Sequence, residues 1–262
     1  MADKNYSAED IRVLSDREHV RLRTAIYLGS TETSTYEIPI FGKDDIKIKQ
    51  KEFVPALFKA FNEIADNAID ELTQLKKKDK KVSVIHDVIN NKYKVCDNGR
   101  GVPIDLHPQT KRYTPETVFT ELRSGRNFDD DAKDSGVIGT NGVGSSCVAM
   151  LSEDFNVSIK RDGKFYEQMY HDGTNKINDP SINTYKGKDT GTCIEFKYDT
   201  SLPQFESTRV DPELIGNRAV EIALNNPEIL LSYVRKQLDE DGDEEQISED
   251  YHFKGGMGEY VK

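Results

Sequence analysis

Apolar residues recur every three or four positions through VPALFKAFNEIADNAIDELTQLKKK, where Leu57, Phe58, Phe61, Ile64, Ala65, Ala68, Ile69 and Leu72 share one side. This period predicts a long amphipathic helix, with Lys76, Lys77 and Lys78 at the end where the helix dipole favours cations. Further along the period shortens to two. KVSVIHDVI and KYKVCD are rich in β-branched and aromatic residues and are separated by the turn signal NNK, which predicts a hairpin. PETVFTELRSG returns to helical spacing with Pro115 early, SSCVAMLS reads as a buried helix, and residues 211–225 give one more helix. Strand runs follow in FNVSIKRDGKFYEQMYHDG, INTYKG and GTCIEFKYD, the first turning at Asp162-Gly163. ILLSYVRKQ and QISEDYHF flank the acidic turn LDEDGDEE, read as a solvated hairpin tip. Residues 1–19 read as a loosely held arm, HVRLRTAIYLGS as a short helix broken at Gly29, and the next stretch as a polar loop containing Gly42. Helices and strands thus come in blocks without regular βαβ alternation, which predicts an α+β layered sandwich rather than a doubly wound parallel sheet.

Composition narrows the classes of function. A chain of 262 residues with 35% apolar content can bury a sizeable core. No apolar run approaches the length of a membrane span, and the polar, acidic N-terminus is unlike a secretory or transit signal, so a cytoplasmic protein without a membrane partner is expected. Cys96, Cys147 and Cys193 are far apart and form no CxxC, and the five histidines are scattered. Neither a disulfide framework nor a zinc site is expected. A formal charge of −11 argues against a domain that grips nucleic acid mainly by its phosphates, while admitting a ligand that brings its own cation, such as a Mg²⁺-nucleotide.

Three stretches could carry chemistry. SGVIGTNGVGSS packs Gly136, Gly139, Gly142 and Gly144 just before a helix; it is neither a GxxxxGK[ST] loop nor a GxGxxG turn. Such a backbone can converge its N–H groups on an anion, or can simply be a flexible surface loop. In NEIADNAIDE, Glu63 and Asn67 share a helical face, with Asp66 and Asp70 alongside. A carboxylate among Phe61, Ile64 and Ala65 suits activation of a water, and an amide oxygen suits Mg²⁺; the alternative is an ordinary polar helix edge. In VCDNGRGVP, Asp97 ends a strand before Gly99 and Gly101, leaving room for a flat ring. An ionised carboxylate accepts from an exocyclic amino group such as adenine's and repels the carbonyl of guanine, although an Asp-Asn-Gly turn needs no ligand. The order of these stretches, closed by TGT before a last strand, describes one nucleotide site.

EIADNAIDE, DNGRGVP, GTNGVGSS and DTGTCIEF resemble the four boxes of the GHKL ATPase superfamily of gyrases, heat-shock chaperones, histidine kinases and mismatch-repair proteins. NYSAEDIRVLSDREHVRLRTAIYLGS is similar to the arm and RxRPxMYIG segment of its type IIA DNA topoisomerase branch, and VLSDREHV and NGVGSS look closest to the T-even-type phage members. The resemblance implies an α+β two-layer sandwich, with a mixed, mostly antiparallel sheet covered by helices on one face. It implies an arm over 1–19, an ATPase domain over 20–248 and the start of a transducer-like domain over 249–262, where YHFKGGMGEYV carries the likeness. Cofactors implied are ATP and Mg²⁺. Glu63 matches the general base, Asn67 the Mg²⁺ ligand, and Asp97 with Thr192 the adenine contact. Arg100, Gly101, Pro103 and Ile104 match the base pocket. Gly139, Thr140, Asn141, Gly142, Val143 and Gly144 match the phosphate lid, and Asn127, with Arg126 beside it, stands where relatives carry the lysine of a GGKF pattern. Tyr6 and Ile11 match arm residues that cross to a second copy of the chain on ATP binding. Further partners implied are a DNA-cleaving domain or subunit and duplex DNA. Thr24 and Ala25 replace the proline-glycine pair of the relatives. The alternatives are a chaperone- or mismatch-repair-type ATPase, or a module that senses nucleotide without useful turnover.

Overall fold

Alternation of buried and part-exposed positions is the signature of a sheet covered on one face, and it runs through the centre of the chain. Val82 and Val84 of β3 (Lys80–Asp87), Tyr93 and Val95 of β4 (Lys92–Asp97), Phe155, Val157 and Ile159 of β5 (Ser152–Arg161) and Ile194, Phe196 and Tyr198 of β9 (Gly191–Tyr198) are all buried. The computed structural model describes residues 10–42, 45–124 and 142–260. β6 (Lys164–His171) pairs with β5 and carries β7 (Lys176–Ile177) and β8 (Ser181–Thr184), while β10 (Ile229–Leu238) pairs with β11 (Glu244–Tyr251). The order across the sheet is β11-β10-β3-β4-β9-β5-β6-β7, antiparallel throughout except for the parallel β10–β3 pair. The expected α+β sandwich, mixed and mostly antiparallel, is the fold observed.

The helical layer is built on α3 (Pro55–Thr73), which packs on β3 and β4 and against α5 (Gly144–Met150), with α6 (Pro212–Asn225) on β10. Leu57, Phe61, Ile64, Ala65 and Leu72 of α3 enter the core, and the Tyr198 hydroxyl donates to the Leu57 carbonyl at 2.7 Å, fixing the helix against β9. α3 ends at Thr73, so Lys76, Lys77 and Lys78 follow the helix instead of occupying its last turn. α4 (Thr114–Thr120) covers the pocket side, with Phe119 against Phe155.

Several sequence expectations need correction. The single helix at HVRLRTAIYLGS is two, α1 (Asp16–Leu22) and α2 (Thr24–Leu28), parted at Arg23 (φ −126°, ψ 40°); the Thr24 hydroxyl donates back to Val20 O at 2.8 Å, so the bend forms without proline. The arm boundary at 19/20 falls inside α1, which docks through Arg21 to Asp199 and Arg17 to Asp172. The boundary at 248/249 likewise falls inside β11, a strand of the main sheet. The polar loop around Gly42 is a hairpin of β1 (Ser34–Phe41) and β2 (Ile46–Phe53), a separate two-stranded sheet held to α6 by Lys51–Asp211 (2.7 Å), Lys49–Glu213 (2.5 Å) and Asn217. Finally, Cys96 and Cys193 lie opposite each other on β4 and β9 and are disulfide-bonded, because antiparallel pairing brings together residues 97 apart in sequence.

Candidate nucleotide site

One cavity of about 1090 Å³ opens between α3, α4, the start of α5 and the ends of β4 and β9. Its floor is Asp97, the last residue of β4. Burial pushes the Asp97 carboxyl up to about 7, the Gly99 amide donating to it at 2.7 Å opposes this, and the nearby Glu71 charge adds to it. The turn after Asp97 is shaped by contact. A Cβ on Gly101 (φ +78°) would stand 2.9 Å from Lys160 O and 3.1 Å from Gly191 O, so only glycine lets the backbone approach this closely. The Thr192 hydroxyl accepts from the Val102 amide at 3.1 Å, tying the turn to β9. Val95, Val102, Pro103 and Ile194 supply apolar walls beside the polar floor, the lining a planar base needs.

Along the cavity runs the face of α3 that carries Glu63, Asn67, Asp70 and Glu71, with Glu71 beside Asp97 and Glu63 about two turns away. Asp66 points elsewhere and pairs with Arg218 of α6 at 2.6 Å. Glu63 receives Lys59 Nζ at 2.7 Å, one helical turn earlier. Gly144 begins α5 directly against this carboxylate: a Cβ there would overlap Glu63 Oε2 and lie 2.7 Å from its Cδ. The glycine therefore lets the start of α5 close on Glu63. Asn67 Nδ2 donates to Ser145 Oγ at 2.7 Å, which turns the amide oxygen into an available acceptor. An amide oxygen beside a carboxylate at the cavity mouth is a hard-oxygen donor set that fits Mg²⁺, which keeps most of its shell as water and phosphate. Among the described residues no cluster of three or more His, Cys, Asp or Glu would hold a metal alone.

The cavity brings together Glu63, Asn67, Asp97, Arg100, Gly101, Pro103, Gly142, Val143, Gly144 and Thr192 from the sequence reading. Ile104 does not join them: it is 5% exposed, in the core, and Val102 takes the wall position. Ile11 is exposed at 61%. Tyr6, Arg126, Asn127, Gly136, Gly139, Thr140 and Asn141 lie outside the described residues. Two residues escaped the sequence reading. Glu71 accepts from Arg100 N, Nε and Nη2, each at 2.9 Å, locking the rim of the base end; it stands eight residues after Glu63, on the same helical side. Lys59 is the second, and the signal that could have found it is its place four residues before Glu63 on the same helix.

Comparison with known proteins places this geometry. The model for histidine kinase-, DNA gyrase B-, and HSP90-like ATPases matches residues 54–201. The chain is 34% identical over 263 residues to the DNA gyrase B protein of Thermotoga maritima, covering 99% of this chain and 35% of that protein. It is 33% identical over 215 residues to DNA topoisomerase 2 of Arabidopsis thaliana, covering 80% of this chain and 14% of that protein. This chain thus spans about a third or less of these two relatives. The crystal structure of the ATPase region of Saccharomyces cerevisiae topoisomerase II matches with a TM-score of 0.79 and 26% identity, over 97% of this chain and 65% of that one. The chain belongs to the histidine kinase-, DNA gyrase B- and HSP90-like ATPase family, and its fold is that of the topoisomerase II ATPase region.

Proposed function

We propose that this chain binds and hydrolyses ATP as the gate domain of a type IIA DNA topoisomerase of the T-even phage type, closing with a second copy to pass duplex DNA. The observation that carries the reading is one cavity lined by the Asp97 carboxyl at its floor and by the Glu63 carboxylate about two helical turns along α3 from Glu71. Asp97 and Thr192 orient the base, and the amide-rich stretch from Gly142 to Ser145 faces the phosphates. Glu63 accepts a proton from the attacking water, with Lys59 setting the direction of its carboxylate. Mg²⁺, when bound through Asn67 and the phosphates, supplies neutralisation of the charge that develops there. The DNA-cleaving subunit and DNA itself act outside this cavity.

Steady-state turnover and calorimetric binding test this. Glu63→Ala lowers hydrolysis by about 10²–10⁴-fold and leaves affinity for a non-hydrolysable ATP analogue with Mg²⁺ nearly unchanged. A GTP analogue binds much more weakly. Background turnover in the wild-type chain favours the second reading, a nucleotide-sensing module, in which the Lys59–Glu63 pair holds the carboxylate away from water. Equal affinity for the two bases removes the adenine assignment.

A further inference from the structure

β4 and β9 are paired from Tyr93↔Phe196 as far as Cys96↔Cys193, and there the ladder ends. One residue beyond, the ladder partners change, although Gly191 stays packed on the Asp97 carbonyl and the Thr192 amide donates to the Asp97 carboxyl. Asp97 stays with Val82 of β3, whereas Thr192 and Gly191 go with Ile159 and Lys160 of β5. The base end of the cavity is this fork. Gly101 enters it, and Val102 N bonds to Thr192 Oγ1, while Thr190 Oγ1 donates to Gly99 O at 2.5 Å and Arg161 Nη1 to Gly101 O at 2.6 Å. Every one of these contacts joins the β4 side of the fork to the β9–β5 side. The last ladder pair between the two sides is Cys96↔Cys193, and its disulfide, with Cα atoms 4.1 Å apart, is the covalent tie that accompanies these contacts.

Strand alternation puts these sulfurs on the sheet face away from the helices, where both residues are part-exposed. A small thiol or disulfide can reach them without entering the nucleotide cavity. The remaining cysteine is the opposite case: Cys147 is 0% exposed inside α5, and burial pushes its thiol up to about 12. It is inert by both access and thiolate content.

We propose that Cys96 and Cys193 are a redox modification site, and that joining them tightens adenine-nucleotide binding by fixing the fork that carries Asp97 and Thr192. The proposal rests on the cavity being an adenine-nucleotide site. The co-reactant is a low-molecular-weight disulfide of the glutathione class. The thiolate of one cysteine attacks a sulfur of that disulfide, forming a mixed disulfide and releasing one small thiolate. The thiolate of the second cysteine then attacks the protein sulfur, forming the Cys96–Cys193 bond and releasing the other small thiolate. Two electrons pass from the protein to the small disulfide, and the two protons lost by the cysteines end on the two small thiols. The bond removes freedom from the strand ends before nucleotide arrives, so less ordering remains for the ligand to impose.

The test equilibrates the protein in reduced and in oxidised glutathione buffers and reads three quantities. Thiol labelling after denaturation and intact mass give the state of the pair. Amide hydrogen exchange over residues 93–101 and 190–196 reads the fork without nucleotide. Calorimetry with a non-hydrolysable ATP analogue and Mg²⁺ reads affinity. The oxidised protein is expected to retain one labelled cysteine, to exchange more slowly in both segments, and to bind about 5-fold tighter or more than the reduced protein. Cys193→Ser, with Cys96→Val as a second variant, is expected to show one affinity in both buffers. The proposal is overturned if the pair stays reduced in oxidising buffer, or if it oxidises while exchange and affinity stay unchanged. It is equally overturned if the variants keep the buffer dependence. Slower exchange on oxidation with no nucleotide bound in either state instead refutes the adenine-nucleotide reading and the affinity clause with it, leaving the disulfide's hold on the fork established.

Discussion

On the proposed adenine contact Asp97 meets two opposed demands, since a base needs an ionised acceptor and the cavity floor disfavours charge. Its carboxyl, held up at about 7 by burial, is largely protonated in mildly acidic buffer and ionised above neutrality. Nucleotide binding to the ionised form therefore strengthens as pH rises from about 6 to about 8 and levels off once the group is charged. The phosphates titrate in the same range, so the quantity to measure is the difference between wild type and Asp97→Asn. That difference is expected to grow with pH, and a flat difference across the range rules out Asp97 as the base contact. Gly144 sets a second expectation. A methyl there overlaps Glu63 Oε2, so Gly144→Ala displaces the carboxylate or the start of α5. Turnover should fall by about 10²-fold, the order seen when a general base is misplaced, with only a small change in thermal midpoint. Unchanged turnover would mean that Glu63 in this position is not the base. Glu63, Asn67 and Asp97 stand in stretches with their own local spacing and Thr192 in a box known by resemblance, so their gathering at one cavity could be anticipated from sequence. Glu71 could not, since its role depends on Arg100, 29 residues away, folding back onto α3.

Among the elements, α1 shows how an apparently free arm is held. Arg21 pairs with Asp199, both side chains little exposed, and its Nη1 donates to Met150 O at 3.2 Å, where α5 ends. Burial alone would raise the Asp199 carboxyl, but hydrogen bonds from Ser201 and the Arg21 charge hold it below the ordinary carboxylate value. The pair thus stabilises the fold above the usual carboxylate range, and its contribution fades as pH falls through the lowered folded value. Arg21→Ala is expected to destabilise by about 2–4 kcal/mol in denaturant titration, towards the lower end because Ser201 still satisfies Asp199. A loss no larger at neutral pH than in strong acid would show the pair to be irrelevant. The main sheet and its helices were readable because each buries one face and so carries a period. The β1–β2 hairpin was not. IKIKQKEF alternates, but Ile46 and Ile48 are 45% and 65% exposed, and the strands are anchored by Lys49 and Lys51 to acidic residues of and beside α6. Pairing between distant charges leaves no local pattern to read.

For the whole molecule, the remaining question is what the apolar surface at its N-terminal end does. Val13 is 94% exposed, Ile26 69%, and Ile11 and Leu22 61% each, all on α1, α2 and their lead-in. Tyr27, the residue after Ile26, lines the nucleotide cavity, and its hydroxyl is 2.7 Å from His19 Nδ1 on α1. Surface and cavity are therefore joined through one short piece of chain. On the gate reading, nucleotide binding presents this surface to a second copy. Sedimentation with saturating ATP analogue and Mg²⁺ is expected to show a dimer that is absent without nucleotide. Ile26→Asp would have to bury a charge in that contact, at a cost of more than about 2 kcal/mol, and should weaken dimerisation by at least about 10-fold. Because Ile26 does not line the cavity, nucleotide affinity measured below the dimerisation range should be unchanged. A wild-type chain that stays monomeric at saturation would separate nucleotide binding from assembly in this domain. Equal dimerisation by Ile26→Asp would move the contact away from α2, and the exposed apolar residues would then need another occupant.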